Sequence, residues 1–112
     1  MTNTTEVAHY IRKNRTQTAI IYVRGHNQEK QEVFCRVYAA DKGYKVLYVT
    51  TDIADVNNCD ILLVANLSRL SRDKFKYYEI MKELKKKGID VISVSNQDKI
   101  DEYIWLMGEL MK

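Results

Sequence analysis

Residues 66–73 read NLSRLSRD, and the two arginines of that segment, Arg69 and Arg72, stand three residues apart. If a helix begins there, the spacing puts both on one face of its first turn. A third arginine, Arg24, directly follows the apolar run AIIYV at 19–23. Guanidinium groups are planar, permanently charged forks that match phosphate oxygens two at a time. Free N–H groups at a helix N-terminus would add to the same anion site. The plainer alternative is that these arginines pair with Asp52, Asp60 or Asp73 at the surface. Three of them at two loop positions favour the phosphate reading. His26, two residues after Arg24, is the one imidazole placed to act in such a site.

The elements that must position these residues follow from periodicity. Residues 19–23 are a short, continuous β-branched run, the pattern of a strand buried on both faces, and residues 44–49, 61–65 and 89–94 are read as three further strands. Residues 28–41 and 74–87 are predicted helices, with Gly43 and Gly88 just past their ends. In the first, Val33, Phe34, Val37, Tyr38 and Ala40 form the expected core stripe; in the second, Phe75, Tyr78, Met81 and Leu84 do so. Lysines 82 and 85–87 face outward and suit the helix dipole. Residues 6–15 add a short amphipathic helix built on Val7, Tyr10 and Ile11, ending in Arg12, Lys13 and Arg15. Residues 98–112 form a last helix whose stripe is Ile100, Tyr103, Ile104, Met107, Leu110 and Met111. Trp105 and Leu106 lie off that stripe and are expected at an oligomer interface. Alternating strands and helices predict an α/β sandwich with a largely parallel sheet. Such sheets bind ligands beyond the carboxyl ends of their strands, which is where Arg24, Arg69 and Arg72 fall.

In this order, IIYVRGHNQ, YAADKGYKV, YVTTD, DILLVANLSRLSRD and KGIDVISV resemble the catalytic domain of serine recombinases, the resolvases and invertases, over about residues 19–94. The resemblance implies a resolvase-like three-layer fold and metal-free phosphoryl transfer on DNA. In that family a serine two residues after the first-strand arginine attacks the phosphodiester, and arginines stabilise the developing charge. Carried over, Arg24, Arg69 and Arg72 match the arginines. Gln31 matches a glutamine of the first helix, and Asp52 an acidic residue after the second strand. His26 holds the serine position, which implies that strand cleavage is lost. Ser68 and Ser71 belong to the arginine motif and are not its nucleophile. The family also has a long loop with a further arginine, then a helix, between the second and third strands. This chain has only IADVNNC there. Extended at roughly 3.3 Å per residue, those residues span about 23 Å, barely the width of a crossover. A changed topology or a less covered sheet face is therefore expected. The first helix is about one turn shorter than the family's. The family's long dimer helix is expected to be shortened and its C-terminal DNA-binding domain to be missing.

Totals narrow the classes. With 112 residues the chain is long enough for one domain; residues 1–18 are read as an extension and 19–112 as the recombinase-like unit. A formal net charge of +3 permits a nucleic-acid partner without demanding one. Cys35 and Cys59 stand far apart with no nearby histidine, so no zinc spacing arises and no metal or cofactor is expected. No apolar run reaches membrane-spanning length, so no membrane partner and a cytoplasmic location are expected. A receiver domain wants acids where Arg24 and Asn66 stand, and a dinucleotide site wants a Gly-rich turn in place of RGHNQE. Two readings remain. One is a noncatalytic DNA-associated relative, paired with itself or a full-length recombinase through the last helix. The other is an interaction domain whose arginines are relics.

Overall fold

The structure, a computed structural model, describes residues 15–95. Four strands, β1 (Thr18–Tyr22), β2 (Lys45–Thr50), β3 (Ile61–Val64) and β4 (Asp90–Ser93), form one fully parallel sheet in the order β2-β1-β3-β4. The two central strands read TAIIY and ILLV and are almost wholly buried. Continuous apolar runs of this kind are what a sheet covered on both faces requires. Residues 6–14 and 98–112, with the predicted terminal helices and the Trp105 and Leu106 interface, lie outside the described residues.

Two helices cover the sheet from opposite sides, giving the expected three layers. Helix α1 (Gln28–Lys42) packs Cys35 and Ala39 against Ala19, Ile21, Ile61 and Leu63. Helix α2 (Lys74–Lys86) packs Tyr77 and Leu84 against Ile20, Tyr22, Leu62 and Val64. Alternate residues of β1 and β3 thus feed different cores, as the two-residue strand period dictates. Gly43 ends α1 in the left-handed region at φ 75°, its N–H turned back to Ala39 and Ala40 carbonyls.

Helix α1 turns a different face to the sheet from the one its apolar stripe suggests, and α2 keeps Met81 and Leu84 of its stripe inward but not the rest. In α1 the buried residues are Gln31, Cys35 and Ala39, while Val33, Phe34 and Val37 are exposed. In α2, Phe75 and Tyr78 point outward and Tyr77 takes the core position. Small residues let α1 lie close on the sheet, and the Gln31 amide finds partners there that outweigh its polarity. Apolar periodicity alone misses both effects.

The short second crossover leaves the topology unchanged. After β2 the chain caps a single 3-10 turn (Ile53–Asp55) with Asp52, whose side chain accepts the Ala54 N–H at 3.0 Å. Val56, fully buried, then plugs the α2-side core where a helix is expected in the family. The Tyr48 hydroxyl donates to the Asp55 carbonyl, and Lys87 Nζ to that of Val56 at 3.3 Å. Coverage is thin here: an apolar cavity of about 260 Å³ opens between Ile53, Ala54, Ile80 and Leu84.

Candidate functional site

Strands β1 and β3 are neighbours whose outgoing connections leave toward opposite faces of the sheet, α1 on one side and α2 on the other. The crevice at their carboxyl ends is the place where parallel sheets hold ligands. Beyond β1, the Val23 N–H still bonds the Thr50 carbonyl at 3.0 Å, and the chain then leaves the sheet at Arg24. Gly25 and Asn27 adopt left-handed backbone, at φ 79° and 57°. This sharp turn is held from below by Gln31, which is only 3% exposed. Gln31 Oε1 accepts the Arg24 N–H at 3.1 Å, and Nε2 donates to the Arg24 and His26 carbonyls at 2.8 and 2.7 Å. One amide side chain thereby fixes the backbone that presents both Arg24 and His26.

Beyond β3, a 3-10 turn (Leu67–Arg69) lifts the chain, and buried Leu70 and Ser71 pin it back. Ser71 Oγ accepts the Asp73 N–H at 3.0 Å. Asp73 caps α2, accepting from the N–H groups of Phe75 at 2.9 Å and Lys76 at 3.3 Å. Those helix N-terminal donors are therefore taken by a side chain and are not free to serve an anion, contrary to the sequence expectation.

The two loops are strapped together by their arginines. Arg69 Nη1 donates to the Arg24 carbonyl at 3.1 Å, and Arg24 Nη1 to the Leu70 carbonyl at 3.3 Å. A Cβ on residue 25 would stand 3.0 Å from Arg69 Nη1, so Gly25 serves both the turn and the approach of this guanidinium. Between the loops lies an open cleft of about 630 Å³, lined by Arg24, His26, Ser68, Arg69, Arg72 and Lys76 among others. Among the described residues, no ion pair uses Arg24, Arg69 or Arg72. Of the carboxylates that could have neutralised them, Asp73 is occupied in capping and Asp60 is bound to Arg15 at the other end of the sheet. Arg69 Nε is buried with no acceptor among the described residues. A buried N–H without a partner costs free energy that an anion's oxygen would relieve.

Of the residues singled out by sequence, Arg24, His26, Arg69 and Arg72 come together on the cleft. Gln31 and Asp52 are not among its lining residues; Gln31 acts on the loop from beneath, and Asp52 caps the 3-10 turn. Lys76 was missed, although its position one turn into α2, four residues after Arg72, could have placed it on the same side. Gly25 was missed too, and only its positive φ and the nearness of Arg69 reveal its role. The imidazole of His26 makes no hydrogen bond among the described residues, so nothing there orients it as a base or nucleophile. Cys35, fully buried under α1, has its thiol pushed up to about 12 by burial, which marks it as inert core.

The comparisons with known proteins agree with the fold. The family model for the resolvase N-terminal domain matches residues 49–111, more than half of the chain and including the segment that carries Arg69 and Arg72. Among solved structures, the chain is similar to the C-terminal catalytic domain of ISC1926 TnpA, an IS607-like serine recombinase. The TM-score is 0.54 at 25% identity, covering 83% of this chain and 82% of that one. No curated protein matches. Among the described residues no helix is long and apolar enough to cross a membrane.

Proposed function

The chain belongs to the resolvase N-terminal domain family, and from that premise we propose that it is a serine-recombinase-like domain that holds a DNA phosphate without cutting it. Arg24, Arg69 and Arg72, with Lys76 beside them, supply the positive charge. The observation that carries the reading is their lack of counter-charge: three guanidiniums share one cleft at the carboxyl ends of β1 and β3, and among the described residues no carboxylate pairs with any of them. Like charges converge in this way at a modest energetic cost, which a phosphate removes.

In the family, cleavage needs an attacking hydroxyl where this chain has His26. An arginine cradle stabilises charge on phosphate oxygens whether or not a nucleophile is present, so binding survives the substitution. Imidazole can attack phosphorus when a neighbour orients it, and among the described residues His26 has no such neighbour. Residues 19–112 are taken as the recombinase-like unit, with 1–18 as an extension. Pairing with itself or with a full-length recombinase through residues 98–112, around Trp105 and Leu106, would bring the cleft to a recombination site.

The test is fluorescence anisotropy with duplex DNA across a salt series. Each arginine–phosphate contact contributes about 0.9 to the slope of log affinity against log salt. The double variant Arg69→Ala/Arg72→Ala should therefore bind more weakly, with the slope shallower by about 2. The native chain should leave no covalent protein–DNA adduct on a denaturing gel. Unchanged affinity and slope in the double variant would sink the reading. Oligomerisation dependent on Trp105, with DNA binding indifferent to the arginines, would favour the interaction-domain alternative.

A further inference from the structure

The side of α1 turned away from the sheet carries an apolar stripe that the described residues leave uncovered. Val33, Phe34 and Val37 are 58%, 51% and 64% exposed. Exposed Ala40 continues the line one turn on. Positions 33, 37 and 40 share one helical face, opposite the face made by Gln31, Cys35 and Ala39. A helix that is apolar on two sides wants a second partner.

The charges beside the stripe say what kind of partner. Lys30 and Asp41 lie on the same flank, at opposite ends of it, with Phe34 between them. Lys30 Nζ stands 5.7 Å from the centre of the Phe34 ring. On the other flank Arg36 and Glu32 satisfy each other at 2.7 Å, which leaves the exposed Glu29 at its start as the unbalanced charge there. A basic group at the start of a stripe and an acidic one at its end make the surface complementary to itself when reversed.

We propose that this face of α1 is an isologous interface between two copies of the chain, the helices packed antiparallel about a dyad level with Cys35 and Arg36. Val33 then meets the partner's Val37, and Lys30 meets the partner's Asp41, each contact occurring twice as two-fold symmetry requires. A parallel two-fold pairing would instead set the Lys30 flank against the partner's opposite flank, where Glu32 and Arg36 already satisfy each other. The interface is separate from residues 98–112 and does not depend on DNA. One helix face is at the low end of interface sizes, so the dimer is weak by itself and concentration-dependent.

Sedimentation velocity without DNA, over a concentration series, tests it. The native chain should move from monomer to dimer as concentration rises. Val33→Asp/Val37→Asp should push that transition at least about tenfold higher, since it charges the centre of the interface. Lys30→Asp and Asp41→Lys should each weaken association several-fold, and the double swap Lys30→Asp/Asp41→Lys should recover it. All four positions are exposed, so circular dichroism should show every variant folded. A native chain that is monomeric throughout overturns the proposal. So does a Val33→Asp/Val37→Asp variant that associates like the native chain, or a double swap no better than its parents. DNA binding measured on the same variants stays a separate result.

Discussion

At the amino end of the sheet, Arg15 grips Asp60 through two hydrogen bonds of 2.6 and 3.0 Å, whereas at the carboxyl end Arg24, Arg69 and Arg72 meet no carboxylate among the described residues. The two ends use one residue type under opposite conditions. Asp60 sits just before β3, where its carboxylate also accepts the Thr18 N–H at 2.9 Å and the Thr18 hydroxyl at 3.2 Å. That acid ties the starts of the two central strands together, and the guanidinium completes its bonding. Across the molecule Arg24 and Arg69 are held by backbone carbonyls, which orient them without neutralising them. One arrangement suits stability and the other suits a charged ligand.

The comparison breaks most directly at Asp60. Removing the carboxylate in Asp60→Ala orphans the Thr18 N–H and leaves Arg15 without its partner. Arg15 is about half exposed and keeps part of its hydration. The expected loss is about 2–3 kcal/mol in urea unfolding, below the figure for a fully buried pair. The variant's affinity for DNA, measured where it is still folded, should stay at the native value. A loss under 0.5 kcal/mol, on the order of an ordinary surface change, would mean that the amino end is not the structural one.

Gln31 carries the next effect, and it joins the two halves of the comparison. Its three bonds are structural in kind but serve the functional loop. Gln31→Leu keeps the volume and removes all three, which should cost about 1–3 kcal/mol. It should also weaken DNA binding, because Arg24 and His26 lose the backbone that presents them. Gln31→Glu is the sharper variant: a carboxylate would face the Arg24 and His26 carbonyls with no N–H to offer. A thermal melt paired with anisotropy separates the outcomes. Lost stability with full affinity would place Gln31 with Asp60 as a purely structural residue.

A pH series sharpens the contrast further. Burial raises the Asp60 carboxyl, but the Thr18 N–H and the hydrogen bonds and charge of Arg15 outweigh it, so the net shift is downward from 3.8. An acid whose folded pKa is lowered stabilises the fold at pH values above its unfolded pKa. That contribution fades as pH falls below about 4 and is gone once the lowered folded pKa is passed. Urea unfolding should lose stability in that window, and Asp60→Asn should remove the corresponding part of the slope. The same slope in Asp60→Asn as in the native chain would assign the acid sensitivity to other groups.

These differences also mark how far the sequence could be read. Strand order along the chain, the parallel sheet and the gathering of Arg24, Arg69 and Arg72 were all legible. Runs such as AIIYV and ILLV are unambiguous, and loops after parallel strands converge by topology. The Arg15–Asp60 pair was not legible, since it joins residues 45 apart in sequence across two strand starts. Arg15 therefore looked like a solvated helix end, and Asp60 like a candidate partner for the cleft arginines. The inward face of α1 was hidden for another reason. Gln31, Cys35 and Ala39 are poor advertisements of burial, while the outward Val33, Phe34 and Val37 are strong ones. The short crossover was legible as a length and opaque as a structure, because one well-placed valine, Val56, does the covering that a helix was expected to do.

The smallest stability effect belongs to Arg72, and for that reason it is the most informative. Arg72 is exposed, lines the cleft and makes no hydrogen bond or ion pair among the described residues. Arg72→Ala removes a charge from beside Arg24, Arg69 and Lys76 while breaking nothing that holds the fold. Unfolding free energy should change by less than about 0.5 kcal/mol, and relief of like-charge repulsion pushes that change toward greater stability. DNA affinity should fall over the same experiment, with the salt slope reduced by about 0.9. Stability and binding moving in opposite directions is what a residue kept for a ligand produces. At the amino end the order reverses, since Asp60→Ala loses stability and leaves binding alone. If Arg72→Ala instead destabilised the fold and left the salt slope intact, the carboxyl-end arginines would be structural as well, and the contrast between the two ends would collapse.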